Sequence, residues 1–226
     1  MNAPSFTAHR TRYLILAGVL VVALFFGWLV GFSSALGVRT VTVTGDHRTT
    51  TAQILTAADV RHGAPLSRLD TAAIRDRVAA IPAVRKVTVT TSYPSTVHIT
   101  VIERTAVGYR PDSAGARLVD ADDVEFDTVA TAPVGLPELQ LSADPSLSAA
   151  TAAVAGTLTS QFRAVVARIA APTSQTITLT LTDGRTVLWG GTDRSGEKAK
   201  LLPVLVHQPG QYFDVSDPSS VISRGA

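Results

Sequence analysis

The chain has 226 residues, of which 20 are basic and 18 acidic, and the formal net charge of +2 is too small for the footprint of a nucleic-acid binder. Cysteine is absent, which excludes a disulfide framework, thiolate metal sites and a cysteine nucleophile. Apolar residues make up 46% of the chain, enough to bury a core in one or two modest domains without covalent staples.

The first predicted element is Leu14–Phe32, a run with no charge and no proline. At 1.5 Å per residue it reaches roughly 29 Å, the thickness of a bilayer's hydrocarbon core. Tyr13 and Trp28 lie near its ends, where aromatic rings favour headgroups. Arg10 and Arg12 precede it with no acidic neighbour, so the positive-inside rule keeps the N-terminus in the cytoplasm and places the rest outside. A cleaved signal peptide is the alternative, with Ser33-Ser34-Ala35 as the cleavage site. The apolar run exceeds the length of a signal h-region, which favours an uncleaved anchor. The reading is a cytoplasmic tail over 1–12 and a transmembrane helix over 13–36.

Thr40 to Thr44 reads T-V-T-V-T, a half-buried strand closed by Gly45-Asp46. Thr51 is the predicted cap of a short helix that turns Ile54, Leu55 and Ala58 inward. Asp70 caps a second helix carrying Ile74, Val78 and Ile81 at i, i+4 and i+7. Val87 and Val89 then share a strand face, Tyr93-Pro94-Ser95 turns, and Val97, Ile99 and Val101 alternate on the return. Strand, helix, helix, strand, strand is an α+β solution with the helices covering one sheet face. Val38–Arg104 holds nine basic and five acidic residues, whereas 105–226 holds nine basic and thirteen acidic. That change of sign marks a boundary near residue 104.

Beyond it, Arg117-Leu118-Val119-Asp120 and Val124-Glu125-Phe126 predict a hairpin around Ala121–Asp123. Its acidic cluster, Asp120, Asp122, Asp123, Glu125 and Asp127, lacks the order of a calcium loop and reads as a solvated turn. Asp144-Pro145 begins a helix with Leu147, Val154, Leu158, Phe162, Val165 and Ile169 inward, with a break at Gly156. Ile177, Leu179 and Leu181 alternate, Asp183-Gly184 turns, and Val187–Trp189 returns. Glu197–Val206 is helical and kinks at Pro203. Tyr212–Ser216 is the last predicted strand.

These segments resemble the FtsQ/DivIB cell-division family. Its POTRA pattern is roughly I-P-x-V-x-x-A-x-V-x-R-x-W-P-x-T-L-x-I-x-V-x-E-R-x-P. Ile81-Pro82, Val84, Val89, Pro94-Ser95-Thr96, Ile99, Val101 and Glu103-Arg104 match it. Tyr93 stands for the usual Trp, Thr91 for Arg and Ala106 for Pro. Leu118-Val119-Asp120, Gly135-Leu136-Pro137, Gly184 with Val187-Leu188-Trp189-Gly190, Lys198, Leu202 and Tyr212-x-Asp214-Val215-Ser216 resemble its later motifs in order. Asp123 replaces a turn glycine, and Asp tolerates the left-handed conformation. The resemblance implies an α+β chain: a transmembrane helix, a POTRA domain (β-α-α-β-β) over 38–105, a mainly antiparallel β domain with helices over 106–218, and a tail over 219–226. Glu103-Arg104 also reads simply as a solvated strand end.

Gly191–Gly196 approaches a phosphate loop, but Glu197-Lys198 follows where Lys and Ser or Thr are required. The five histidines are scattered, and no nucleophile elbow exists. No cofactor, metal or catalytic set is expected. The resemblance implies a non-enzymatic bitopic scaffold at the division septum, single-pass in the cell membrane. Its partners would be the family's small coiled-coil membrane proteins, FtsB/DivIC-like and FtsL-like, and other division proteins. The alternatives are a membrane-anchored cell-wall enzyme using carboxylates such as Asp120, Asp122 and Glu125, or a protein-translocation POTRA module. For the scaffold, the candidate partner-binding surface is the tail Gln211–Ser220 as, or beside, an exposed sheet edge. Tyr212 and Asp214 fall on one face and Phe213 and Val215 on the other, with Lys198 and Lys200 flanking. Phe213 and Val215 read equally as core. This placement agrees with the C-terminal capture of an FtsB-type partner that the resemblance implies.

Overall fold

The computed structural model describes residues 15–25 and 36–225. The expected span Leu14–Phe32 lies partly outside these residues. Within it, 15–25 is helical, with its large apolar side chains, Ile15 and Leu16 through Phe25, exposed. No helix among the described residues is long and apolar enough to cross a membrane. The chain falls into two compact units, 1–103 and 104–226.

In the first unit, strand β1 (Thr40–Thr44) is followed by helices α1 (Thr51–Ala58) and α2 (Thr71–Ala79), then strands β2 (Val84–Ser92) and β3 (Thr96–Glu103). The sheet order is β1-β3-β2, with β1 parallel and β2 antiparallel to β3. Alternation along β3 buries Val97, Ile99 and Val101 against Ile54 and Ala58 of α1 and Ile74 and Val78 of α2. The cap of α1 is Thr50 rather than Thr51. Its extended backbone lets its hydroxyl accept from Gln53 N, while the Gln53 side chain reaches back to Thr50 N. Asp70 caps α2 by accepting from Ala73 N at 2.9 Å. Gly45 has φ +86, and a Cβ there would meet the Val101 carbonyl oxygen at 2.1 Å, so only glycine closes β1 this tightly.

The second unit is built on one nine-stranded sheet. Its strands are β4 (Gly108–Asp112), β5 (Gly115–Val119), β6 (Glu125–Val129), β7 (Glu138–Leu139), β8 (Val166–Ala170), β9 (Ile177–Leu181), β10 (Thr186–Gly190), β11 (Tyr212–Asp214) and β12 (Ile222–Arg224). The order is β12-β11-β10-β9-β8-β7-β4-β5-β6. The sheet is mixed: β4 with β7, β7 with β8 and β10 with β11 are parallel, and the other neighbours are antiparallel. Helices α3 (Pro145–Thr157), α4 (Ser160–Arg163) and α5 (Ser195–Leu205) complete the unit. Ala152, Val154 and Ala155 of α3 and Leu202 and Leu205 of α5 share one core with Leu179, Trp189 and Phe213.

Two expectations are corrected. The helix from Asp144-Pro145 does not run to Ile169. It ends at Thr157, Leu158 turns extended, and Thr159 caps the short α4 by accepting from Phe162 N. Ile169 is buried, but as a residue of β8. Apolar spacing is blind to a capping threonine that restarts the chain. The break expected at Gly156 falls two residues on, at Leu158. Gly156 itself is in the last turn of α3, where a Cβ would come within 2.7 Å of the Ala121 methyl. The strand at Tyr212 is also not the last. Asp217 accepts from Ser219 N at 3.0 Å, which shapes a turn over Asp217–Ser220, and β12 returns antiparallel to β11.

Candidate partner-binding edge

Strand β11 is held on both sides. Tyr212, Phe213 and Asp214 pair with Thr186, Val187 and Leu188 of β10, and with Arg224, Ser223 and Ile222 of β12. The edge is therefore β12, whose three residues are all exposed. Tyr212 and Asp214 are half-buried on one face, while Phe213 and Val215 are fully buried on the other. Of the two readings for Phe213 and Val215, the structure selects core. Phe213 also lies under the Arg185 guanidinium, 5.7 Å from the ring centroid.

Lys198 was expected to flank the edge in solvent, and this is corrected. Its side chain is 0% exposed, and Nζ donates to the Gly191 carbonyl at 3.0 Å. The ammonium sits 6.0 Å from the Trp189 ring centroid and 3.9 Å from an Asp193 carboxylate oxygen. It ties α5 to the end of β10. Trp189 Nε1 donates to Ser195 Oγ at 3.0 Å, and Ser195 Oγ donates to the Thr192 carbonyl at 2.7 Å. Arg194 has φ +51 and reaches both Glu197 and Asp217, joining this corner to the turn before β12. Gly190 closes against Ser216, whose Cβ would lie 2.7 Å from a Cβ at residue 190. Lys200, one turn from this corner, is exposed. The structure thus brings Tyr212, Asp214 and β12 together at one end of the sheet and withdraws Lys198, Phe213 and Val215 into the core. Sequence reasoning missed β12, because Ile222-Ser223-Arg224 is too short to show a period.

The acidic hairpin is neither solvated throughout nor arranged for a metal. Asp120 is buried, accepts from Asp122 N at 3.0 Å and Val124 N at 2.9 Å, and pairs with Arg104. Asp123, at φ +63, takes the left-handed turn position and pairs with the buried Arg110. Glu125 accepts from Arg110 and Arg117. Partial burial alone would raise the Glu125 carboxyl, but these two guanidiniums hold it below the usual carboxylate range. Hydrogen bonding from Arg117 likewise lowers Asp112. Among the described residues no three His, Asp or Glu side chains are grouped to hold a metal. Of the carboxylates named for an enzyme reading, Asp120 holds the turn and pairs with Arg104, and Glu125 pairs with Arg110 and Arg117.

Glu103 is not a solvated strand end. Its Oε1 accepts from the backbone N–H groups of His47, Arg48 and Thr49 at 3.1, 3.0 and 2.8 Å, and its Oε2 from Arg48 at 2.9 Å. Partial burial would raise its pKa, and the N–H groups of Thr49, Arg48 and His47 outweigh that and lower it. The carboxylate pins the β1–α1 loop to the end of β3.

Comparison with known proteins agrees with this architecture. A family model described as POTRA domain, FtsQ-type, matches residues 36–104. The chain is 38% identical over 208 residues to the cell division protein FtsQ of Mycobacteroides abscessus, covering 91% of this chain and 67% of that protein. It is 42% identical over 222 residues to FtsQ of Mycolicibacterium smegmatis, covering 96% of this chain and 66% of that protein. With FtsQ of Streptomyces collinus it shares 34% identity over 237 residues, covering 96% and 90%. The chain spans between 54% and 67% of the length of its mycobacterial relatives from M. leprae to M. abscessus. A β-α-α-β-β unit with the family's POTRA match, joined to a long sheet and similar to these relatives along nearly its whole length, places the chain in the FtsQ family of cell division proteins.

Proposed function

We propose that the chain is a non-enzymatic, bitopic scaffold of the division machinery, anchored in the cell membrane near its N-terminus with Val38 onward outside. In this reading it gathers FtsB/DivIC-like and FtsL-like coiled-coil membrane proteins at the septum and links them to cytoplasmic division proteins. The observation that carries the reading is the end of the nine-stranded sheet. There β12 is outermost and exposed, beside a β11 that presents Tyr212 and Asp214. An outer strand offers N–H and C=O groups to which a partner segment adds a further strand, and neighbouring side chains select that segment. The exposed apolar helix at 15–25 supports the anchor, since such a face is stable only when covered by lipid or protein. Membership of the family supports the role in division. Depletion of the chain in growing cells, followed by microscopy, tests the proposal. Filaments without septa are expected. Normal septation would overturn it.

A further inference from the structure

We propose a second docking edge, independent of the C-terminal one: strand β1 accepts an extended, acidic and apolar segment of a partner protein. Two sheets among the described residues end in four outermost strands, β1, β2, β6 and β12. Three of them carry charge. β2 has Arg85 and Lys86 with a register shift between Val84 and Lys86, β6 has Glu125 and Asp127, and β12 has Arg224. Charges and bulges are the usual protection of a sheet edge against strand addition. β1, T-V-T-V-T, has neither, and its register with β3 runs unbroken from Thr40↔Thr96 to Thr44↔Thr100.

Beside β1 lies a groove of about 450 Å³ lined by Arg39, Thr40, Val41, Leu55, Val60 and His62. Leu55 is exposed on α1, and Val41 and Val60 are half-buried, which leaves an apolar seat for one side chain of an added strand. Arg39 and His62 line the rim, both are exposed, and no carboxylate is among the lining residues. Of the exposed charges next in sequence, Arg61 follows Val60 and Asp59 precedes it, so the charge at the rim itself is that of Arg39. The chain before β1 is already closed, since Val38 N donates to the Ala64 carbonyl and Gly63 N to the Val38 carbonyl. Among the described residues the free stretch is therefore β1 itself, five residues long and with a defined start. Backbone pairing along Thr40–Thr44 supplies the hold, an aliphatic side chain fills the seat at Leu55, and a carboxylate meets Arg39.

The test uses the full chain in detergent and two synthetic peptides, Glu-Val-Thr-Val-Glu-Val-Thr and its counterpart with Lys in place of Glu. Amide hydrogen exchange is followed across all four outer strands. The acidic peptide is expected to slow exchange in Thr40–Thr44, and the basic one to bind about tenfold more weakly. Leu55→Glu, and separately the milder Arg39→Gln, should weaken the acidic peptide while each variant melts as the parent does. Protection that ignores peptide charge, or that falls equally on β2, β6 and β12, overturns the proposal. Protection of β1 by anionic lipid vesicles alone would assign the basic rim to a membrane surface instead. Protection that rises with protein concentration without peptide would assign the edge to a second copy. Either result overturns the partner class proposed here.

Discussion

Replacing Glu103 with glutamine tests how the first unit holds its β1–α1 loop. The carboxylate receives three consecutive backbone N–H groups, from His47, Arg48 and Thr49. Hydrogen bonds to a charged group contribute about 1.5–3 kcal/mol each when well made. These three share one half-exposed carboxylate, so their contributions do not add, and glutamine retains a neutral acceptor for at least one of them. The expected loss is about 2 kcal/mol. Amide hydrogen exchange reads it locally, as exchange at residues 47–49 made roughly thirtyfold faster, after correction for intrinsic rates. The pH dependence has a definite sign. A carboxyl lowered in the folded state stabilises it fully above its unfolded pKa, and this stabilisation is lost as pH falls through the folded value. The gap between parent and Glu103→Gln should thus be widest at neutral pH and close as the pH falls through the lowered pKa of the folded carboxyl. Equal protection of the loop in both proteins at pH 7, or a gap that persists in acid, would refute the reasoning.

Three further outcomes follow from the second unit and the boundary. Phe213→Ala should cost about 3–5 kcal/mol in a urea melt, because the ring is fully buried, while Tyr212→Ala leaves the melt close to the parent and weakens retention of the coiled-coil partner in a pull-down. Lys198→Glu should collapse the melt rather than only abolish binding, since it buries a carboxylate against the Gly191 carbonyl, and Lys198→Met should be much milder because it keeps the aliphatic stem. Residues 38–105 expressed alone should unfold cooperatively, as their helices and strands enclose one core, and a molten fragment by circular dichroism would contradict this.

The first unit was legible because its signals are local and agree. Val97, Ile99 and Val101 alternate, Ile74 and Val78 keep helical spacing, and Asp70 caps where a cap is needed. The second unit was less so, for reasons that lie in tertiary contacts. An apolar run from Leu147 to Ile169 satisfies a helix and a helix-turn-strand equally well, and only Thr159 marks the restart. Lys198 reads as a surface lysine on a helix. That it points inward depends on Gly191 and Trp189, which approach it only when β10 and α5 pack. The edge at β12 was invisible because three exposed residues carry no pattern. Glu103 and Asp120 were found as motif letters, but their acceptor roles toward loop N–H groups need the fold.

The central claim is that a partner strand pairs at β12. Because the chain has no cysteine, a single Ser223→Cys places one thiol on that strand. Disulfide cross-linking in dividing cells, against an FtsB/DivIC-like partner carrying one cysteine in its membrane-distal segment, reads the contact directly. The account predicts a cross-link from residue 223 and none from Thr128→Cys on β6 at the opposite end of the sheet. No cross-link from residue 223 while septa still form, or equal cross-linking from residue 128, would contradict it.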